Sequence, residues 1–175
     1  MNTANKLTMM RIFLIPVFLV VLYLNFPLHM WIALAVFVVA SVTDFVDGYV
    51  ARHYNQITDF GKFMDPLADK VLVMAAMLWF VEAGRMPAWA LLIVVVREFA
   101  VTALRLVAVE GGRVIAAGWS GKVKTASTMV CIVIMLALHF AVLDWVCVAV
   151  IVVTTVYSGI EYFVKNKDVI NWSDM

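Results

Sequence analysis

The chain has 175 residues, of which 65% are hydrophobic and 14% are charged. Soluble domains are about 45–50% apolar and about 25% charged, so this composition argues against a soluble protein and favours an integral membrane protein. The formal net charge is only +1, and we expect no nucleic-acid partner.

Six apolar segments follow one another along the chain, at about 7–25, 30–53, 60–82, 87–110, 121–140 and 143–164. Turn-forming or polar residues separate them, such as Pro27 and the pair Gly111 and Gly112. Roughly twenty apolar residues cross a hydrocarbon core of about 30 Å as a helix, which also satisfies its own backbone hydrogen bonds. We therefore predict one domain over residues 1–175, an all-α integral membrane bundle of six transmembrane helices.

Several segments are apolar in one half and charged in the other. Residues 30–43 carry no charge, yet Asp44 and Asp47 follow at once. Residues 86–96 are likewise uncharged and are followed by Arg97 and Glu98. A charged side chain near the bilayer centre costs at least about 2.5–3.5 kcal/mol, so these polar halves should face one another around a wet cavity.

The basic residues indicate an orientation for this bundle. When the segments cross the membrane alternately from a cytoplasmic N-terminus, Arg85 is the one Lys or Arg that falls on the far side. This asymmetry matches the positive-inside rule. We therefore expect the N-terminus and the polar cavity to face the cytoplasm.

Four aspartates mark the second and third segments. Asp44 and Asp47 are three residues apart, and Asp65 and Asp69 are four apart, so each pair shares one helix face. The short connection between the segments makes the helices antiparallel neighbours, and the two pairs can converge. Carboxylates in a membrane need a compensating charge, and Mg²⁺ or Mn²⁺ supplies it through oxygen ligands. Two such ions about 3.5–4 Å apart can bridge a pyrophosphate.

Small and basic residues accompany these aspartates. Gly48 and Ala51 lie one helical turn apart and let a large ligand approach the helix backbone. Arg52 can neutralise a phosphate, and Gly61 opens space on the next helix. Ordinary ion pairing of the aspartates with Arg52, Lys62 and Lys70 would leave the small residues and the regular spacing unexplained.

These residues together resemble a known family. From Asp44 to Asp69 the sequence reads D-x2-D-G-x2-A-R-x8-G-x3-D-x3-D, which is similar to the signature of the CDP-alcohol phosphotransferases. The resemblance implies a six-helix homodimer in the bacterial cytoplasmic membrane, with its active site facing the cytoplasm. It implies metal binding by Asp44, Asp47, Asp65 and Asp69, with Asp69 as general base. It also implies a CDP-lipid site at Asp47, Gly48, Ala51, Arg52 and Gly61.

Other segments resemble one branch of that family, the bacterial phosphatidylglycerophosphate synthases. They are residues 5–12, 65–70, 97–102 and 121–125, and the similarity extends from about Asn5 to Tyr162. These synthases use sn-glycerol 3-phosphate as acceptor. The resemblance therefore implies transfer of the phosphatidyl group of CDP-diacylglycerol to that acceptor, which gives phosphatidylglycerophosphate and CMP.

An acceptor that carries a phosphate needs cations of its own. The candidates for binding it are Thr8, Arg11, Arg97, Arg105, Lys122 and Lys124. Two alternatives stay open. The two lysines can instead anchor the chain to anionic lipid at the membrane surface. The two arginines of the fourth segment can pair within the bundle with Glu98 or Glu110.

Other functions also stay open. The same chemistry can serve inositol phosphate, serine or phosphatidylglycerol as acceptor. A membrane prenyl transferase also holds pyrophosphate on Asp-rich helices, but only Asp65 and Asp69 fit that pattern. A divalent metal carrier would use the aspartates for transport, but this function does not explain why Gly48, Ala51 and Arg52 stand beside them.

Overall fold

The computed structural model describes the backbone of residues 3–24, 26–53, 59–116 and 118–169. Within these ranges, the side chains of residues 3–8, 44–53, 59–66 and 69 are outside the description. The helices are α1 Thr3–Tyr23, α2 His29–His53, α3 Asp59–Glu82, α4 Ala88–Glu110, α5 Trp119–Ala137 and α6 Ala141–Lys165, followed by a short 3₁₀ turn at Lys167–Val169. No strand occurs among the described residues. The all-α prediction is confirmed for the described residues. Each end of a predicted segment lies within four residues of the corresponding helix end.

The helix ends show why the segments stop where they do. Pro87 directly precedes α4, and the helix closes at Gly111 and Gly112. Gly112 has a φ of 71°, which is the left-handed conformation that glycine tolerates. Its N–H donates to the carbonyl of Val109, and the N–H of Arg113 donates to that of Ala108. This is a Schellman motif, which satisfies carbonyls that the helix end leaves open.

The last helix begins slightly earlier than predicted. The sixth segment was predicted from about residue 143, whereas α6 begins at Ala141. Asp144 therefore lies in the first turn of α6. A carboxylate is favourable there because the helix N-terminus carries partial positive charge.

The chain forms two compact units, and the first contains α1, α2, α3 and residues 132–139. In this unit α1 contacts both α2 and α3, and α2 contacts α3. The rings of Phe18 and Phe37 are fully buried with their centroids 5.8 Å apart. The hydroxyl of Tyr23 donates to the carboxylate of Glu82, which joins the C-terminal ends of α1 and α3.

The second unit contains α4, the first part of α5 up to Cys131, α6 and the 3₁₀ turn. Helices α4 and α6 contact each other along buried faces with helical spacing. Val101, Leu104 and Tyr162 form an apolar cluster at one end of this contact. Polar residues, Arg97 and Ser158, occupy its middle.

Within the described part of the chain, two helices are long and apolar enough to cross a membrane, by length and composition. They are α5, with a mean hydropathy of 1.3, and α6, with 2.0. Only 33% of each apolar window is buried, whereas a core helix of a soluble protein would be mostly covered. Large apolar side chains such as Val142, Trp145 and Val153 are instead exposed on α6. Membrane crossing by all six helices stays a prediction.

Candidate active site

The predicted metal ligands lie on two helices of the first unit. Asp44 and Asp47 are near the end of α2, and Asp65 and Asp69 are in the first half of α3. Their side chains are outside the described part of the structure. Among the described side chains, no three His, Cys, Asp or Glu residues are grouped as a metal site would require. The donor set, four carboxylates at helical spacing, fits a hard divalent cation.

The remaining residues of the predicted CDP-lipid site share these helices. Gly48, Ala51 and Arg52 lie on α2, and Gly61 lies on α3. Their side-chain environment is also outside the description. Like the metal site, this site stays a prediction at the level of side chains.

Arg11 lies on α1 at about the level of these aspartates. Because α1 and α2 are contacting neighbours joined by a short connection, they run antiparallel. The contact between the rings of Phe18 and Phe37 gives a common reference level for the two helices. Arg11 lies seven residues before Phe18, and Asp44 lies seven residues after Phe37, so each is about 10 Å along its helix from that contact. The contact between Tyr23 and Glu82 gives the same reference for α1 and α3. Asp69 lies 13 residues before Glu82, and Arg11 lies 12 residues before Tyr23. The backbones of Arg11, Asp44 and Asp69 are therefore at a similar level of the first unit.

Arg11 is fully buried on the same face of α1 as Ile15, Phe18 and Leu22. A buried guanidinium on an otherwise apolar face is costly unless polar or charged groups compensate it. Thr8 lies one turn earlier on α1, and its side chain is outside the description.

The second unit brings two other predicted acceptor residues together. Glu98 Oε1 accepts from Arg97 Nη1 at 2.9 Å and from Lys124 Nζ at 2.8 Å. Arg97 Nη2 also donates to Ser158 Oγ at 2.5 Å. We call these four residues the Arg97 cluster. Its charged side chains are at most 13% exposed.

Two glycines lie beside Arg97. A Cβ added to Gly159 on α6 would lie 3.3 Å from Arg97 Cγ, and one added to Gly121 on α5 would lie 3.6 Å from Arg97 Nη2. The arginine therefore passes over glycine positions of two helices. It also lines an open groove of about 590 Å³ between α4 and α6, whose other walls are almost entirely apolar.

The last two predicted acceptor residues have other contacts. Arg105 Nε donates to the hydroxyl of Tyr162 at 2.9 Å, and its guanidinium carbon lies 5.5 Å from the centre of that ring. Lys122 is exposed, and its ammonium lies 5.9 Å from the ring centre of Trp119. The ion pair of Arg97 with Glu98, which the sequence left open as an alternative, is present.

Sequence reasoning did not select Ser158 and Gly159 as site residues. The available signal was a serine–glycine pair inside the most apolar helix, where neither residue contributes to hydrophobic packing. Gly121 lay within a segment with family resemblance, but no role was assigned to it.

A second ion pair of this unit was also missed. Arg85 donates from Nε and Nη2 to the two carboxylate oxygens of Asp144, at 2.8 and 2.6 Å. The pair connects the residues just before α4 to the first turn of α6. It explains why Arg85, the exception to the charge asymmetry, carries a charge there.

Comparison with known proteins decides the family. Residues 1–158 match the sequence model of the CDP-alcohol phosphatidyltransferases. The chain belongs to this family. It is a transferase of phospholipid biosynthesis that acts at a membrane, and the predicted resemblance is confirmed.

Three relatives show how far the similarity reaches. A protein of Bacillus subtilis named CDP-diacylglycerol–glycerol-3-phosphate 3-phosphatidyltransferase is 40% identical, and the alignment covers 99% of both chains. A Pseudomonas fluorescens protein of the same name is 40% identical over 83% of this chain and 77% of its own. A probable phosphatidylglycerophosphate synthase of Mycobacterium tuberculosis is 37% identical over 94% of this chain and 81% of its own.

Proposed function

We propose that the chain transfers the phosphatidyl group of CDP-diacylglycerol to the primary hydroxyl of sn-glycerol 3-phosphate. The products are phosphatidylglycerophosphate and CMP. The observation that carries this proposal is 40% identity to a phosphatidyltransferase named for these substrates, across 99% of both chains.

The four aspartates would hold the divalent ions that this chemistry uses. Asp44, Asp47, Asp65 and Asp69 are hard oxygen donors suited to two Mg²⁺ or Mn²⁺ ions, which when bound supply positive charge to a pyrophosphate. Gly48, Ala51 and Gly61 leave space for the nucleotide, and Arg52 neutralises one of its phosphates.

Asp69 acts as the general base. It takes the proton of the acceptor hydroxyl, and the resulting alkoxide attacks the phosphorus that carries diacylglycerol while CMP departs. Direct displacement is favoured because the sequence contains no evident activated nucleophile. Retention of configuration at phosphorus would contradict a single displacement.

The Arg97 cluster supports an acceptor that carries a phosphate. Arg97 and Lys124 place two buried cations on one carboxylate oxygen, so the described groups of this cluster carry an excess of positive charge. A phosphate monoester carries about two negative charges and binds such cations through charge-assisted hydrogen bonds. Serine brings no such phosphate. Of the other predicted acceptor residues, Thr8, Arg11 and Arg105 are further candidates for this role, whereas Lys122 is exposed and lies against Trp119.

The setting of the reaction is also proposed. Six transmembrane helices enclose a polar cavity that opens to the cytoplasm, and the protein is a homodimer in a bacterial cytoplasmic membrane among its lipids. The support for the orientation is the distribution of Lys and Arg along the chain.

The test is an acceptor panel with detergent-purified protein. CDP-diacylglycerol and Mg²⁺ or Mn²⁺ are supplied with sn-glycerol 3-phosphate, inositol phosphate, serine or phosphatidylglycerol, and both CMP and the lipid product are measured. We expect turnover with sn-glycerol 3-phosphate. Turnover with another acceptor alone would refute the assignment, and metal flux in liposomes without CDP-lipid would favour a carrier.

The role of the general base has its own comparison. Asp69→Asn keeps the side-chain size but removes the basic carboxylate, and we expect it to lower kcat by at least about a hundredfold. The matched control is Asp168→Asn, because Asp168 is an exposed aspartate in the 3₁₀ turn after α6. Full activity of Asp69→Asn would exclude the proposed base.

A further inference from the structure

Glu98 does more in the Arg97 cluster than cancel charge. The same atom, Oε1, accepts hydrogen bonds from Arg97 and from Lys124. One carboxylate neutralises one cation, so it cannot compensate both in a buried setting. It does hold the two cationic groups side by side, because neither can move away without losing a bond of under 3 Å. The result is a pair of adjacent cations with a fixed separation.

The guanidinium of Arg97 is held at both of its terminal nitrogens. Nη1 is bound by Glu98, and Nη2 donates to Ser158. These contacts come from two different helices, α4 and α6, and together they fix the plane of the group. Arg97 Nε is buried and has no hydrogen-bond partner among the residues that the structure describes. A donor is therefore left over after the arginine has been positioned.

The aliphatic part of Arg97 is held by shape. A Cβ at residue 159 would lie 3.3 Å from Arg97 Cγ, closer than most such contacts, so an alanine there requires the arginine to shift by a few tenths of an ångström. Glycine inside a helix costs about 1 kcal/mol relative to alanine, and Gly159 lies well inside α6. The space that Arg97 occupies gives this costly residue a physical reason.

We propose that Glu98, Ser158 and Gly159 are positioning residues that hold Arg97, and through Glu98 also Lys124, in one pose for the acceptor's phosphate. The inference rests on the proposed function, since it assumes an acceptor that carries a phosphate. It adds three residues that do not touch the reacting atoms. Their effect is on acceptor affinity, because they act through the two cations.

The experiment separates the two substrates. Michaelis constants for sn-glycerol 3-phosphate and for CDP-diacylglycerol are measured for Glu98→Gln and Gly159→Ala. Glu98→Gln keeps the size of the side chain and removes its charge. We expect each variant to raise the KM for sn-glycerol 3-phosphate by about tenfold or more. This size of change corresponds to weakening one hydrogen bond between the acceptor and a charged group. The KM for CDP-diacylglycerol should change less than about twofold.

Each variant has a matched control. Glu110→Gln removes an exposed carboxylate at the end of the same helix, α4. Gly118→Ala adds a Cβ whose nearest atom in the described structure is Ser120 Oγ at 3.9 Å, an ordinary contact. Neither control should change the KM for either substrate. If Glu98→Gln does not fold, Ser158→Ala gives the same comparison through a smaller change, the loss of one hydroxyl.

The outcomes distinguish this inference from the proposed function. If the unmodified protein does not use sn-glycerol 3-phosphate, the proposed function fails. If the unmodified protein does use it, but the variants leave its KM within twofold or raise both KM values equally, the positioning role alone is refuted. A selective rise in the acceptor's KM supports it. Arg97→Lys should then show the same selective rise in the acceptor's KM, because a lysine ammonium cannot reproduce the fixed fork of donors that a guanidinium presents.

Discussion

The ion pair between Arg85 and Asp144 allows a quantitative prediction of stability. Arg85 donates two hydrogen bonds to the carboxylate, and the two side chains are only 14% and 9% exposed. Asp144→Ala leaves the guanidinium buried without this carboxylate, a change that typically costs about 3–5 kcal/mol. It also removes a negative charge from the first turn of α6, worth about 0.3–1 kcal/mol.

This loss corresponds to a large shift in melting temperature. For a chain of this length each kcal/mol changes Tm by about 2–4 °C, so Asp144→Ala should lower Tm by about 7–24 °C. Thermal unfolding of the purified protein in detergent measures it. Asp168→Ala serves as the control, because substitutions at exposed positions usually change stability by less than about 0.5 kcal/mol.

A double-mutant cycle isolates the pair itself. Arg85→Ala together with Asp144→Ala removes both charges, so the double variant should be more stable than the sum of the single losses predicts. Strict additivity of the two losses would refute the reasoning, because the two groups would then not interact. Neither residue belongs to the Arg97 cluster, so the acceptor's KM at low temperature should stay unchanged in the folded variants.

Three further predictions follow from single contacts and from the metal chemistry. Lys124→Ala should raise the KM for the acceptor about tenfold, whereas Lys122→Ala should leave it within twofold, because only Lys124 is buried against Glu98. Equal effects of the two variants in steady-state assays would contradict the role of Lys124 in acceptor binding. Tyr162→Phe removes the hydroxyl that accepts from the charged Arg105 and should lower the free energy of unfolding by about 1.5–3 kcal/mol. An unchanged Tm would show that this bond contributes nothing. Treatment with a chelator should abolish CMP release and added Mg²⁺ or Mn²⁺ should restore it, so activity that survives metal removal would refute a metal-dependent transfer.

The helices and the family pattern could be predicted because they depend on residues close together in the chain. An apolar run of roughly twenty residues has few alternatives to a helix, and the pair Gly111 and Gly112 ends α4 through a local turn. The spacing from Asp44 to Asp69 is likewise a local property, since helical periodicity alone places each pair of aspartates on one face. The start of α6 differs from the predicted residue 143 by only two positions, but the partner of Asp144 in its first turn, Arg85, is 59 positions away and could not be predicted from local pattern.

The grouping of the basic residues was decided by tertiary structure. Lys122 and Lys124 are two positions apart on α5 and so point to nearly opposite faces, but nothing in the local sequence shows which face meets Glu98. Packing of α4, α5 and α6 buries Lys124 and leaves Lys122 exposed.

By itself, the sequence determined that this is an all-α chain of the CDP-alcohol phosphatidyltransferase family, because hydrophobic length and motif spacing act over one or two helices. Tertiary structure alone decided that Arg97 is held by Ser158 and accommodated by Gly159, residues 61 and 62 positions away. Contacts at such separation depend on which helix faces pack together, and no periodicity within a single helix records that choice.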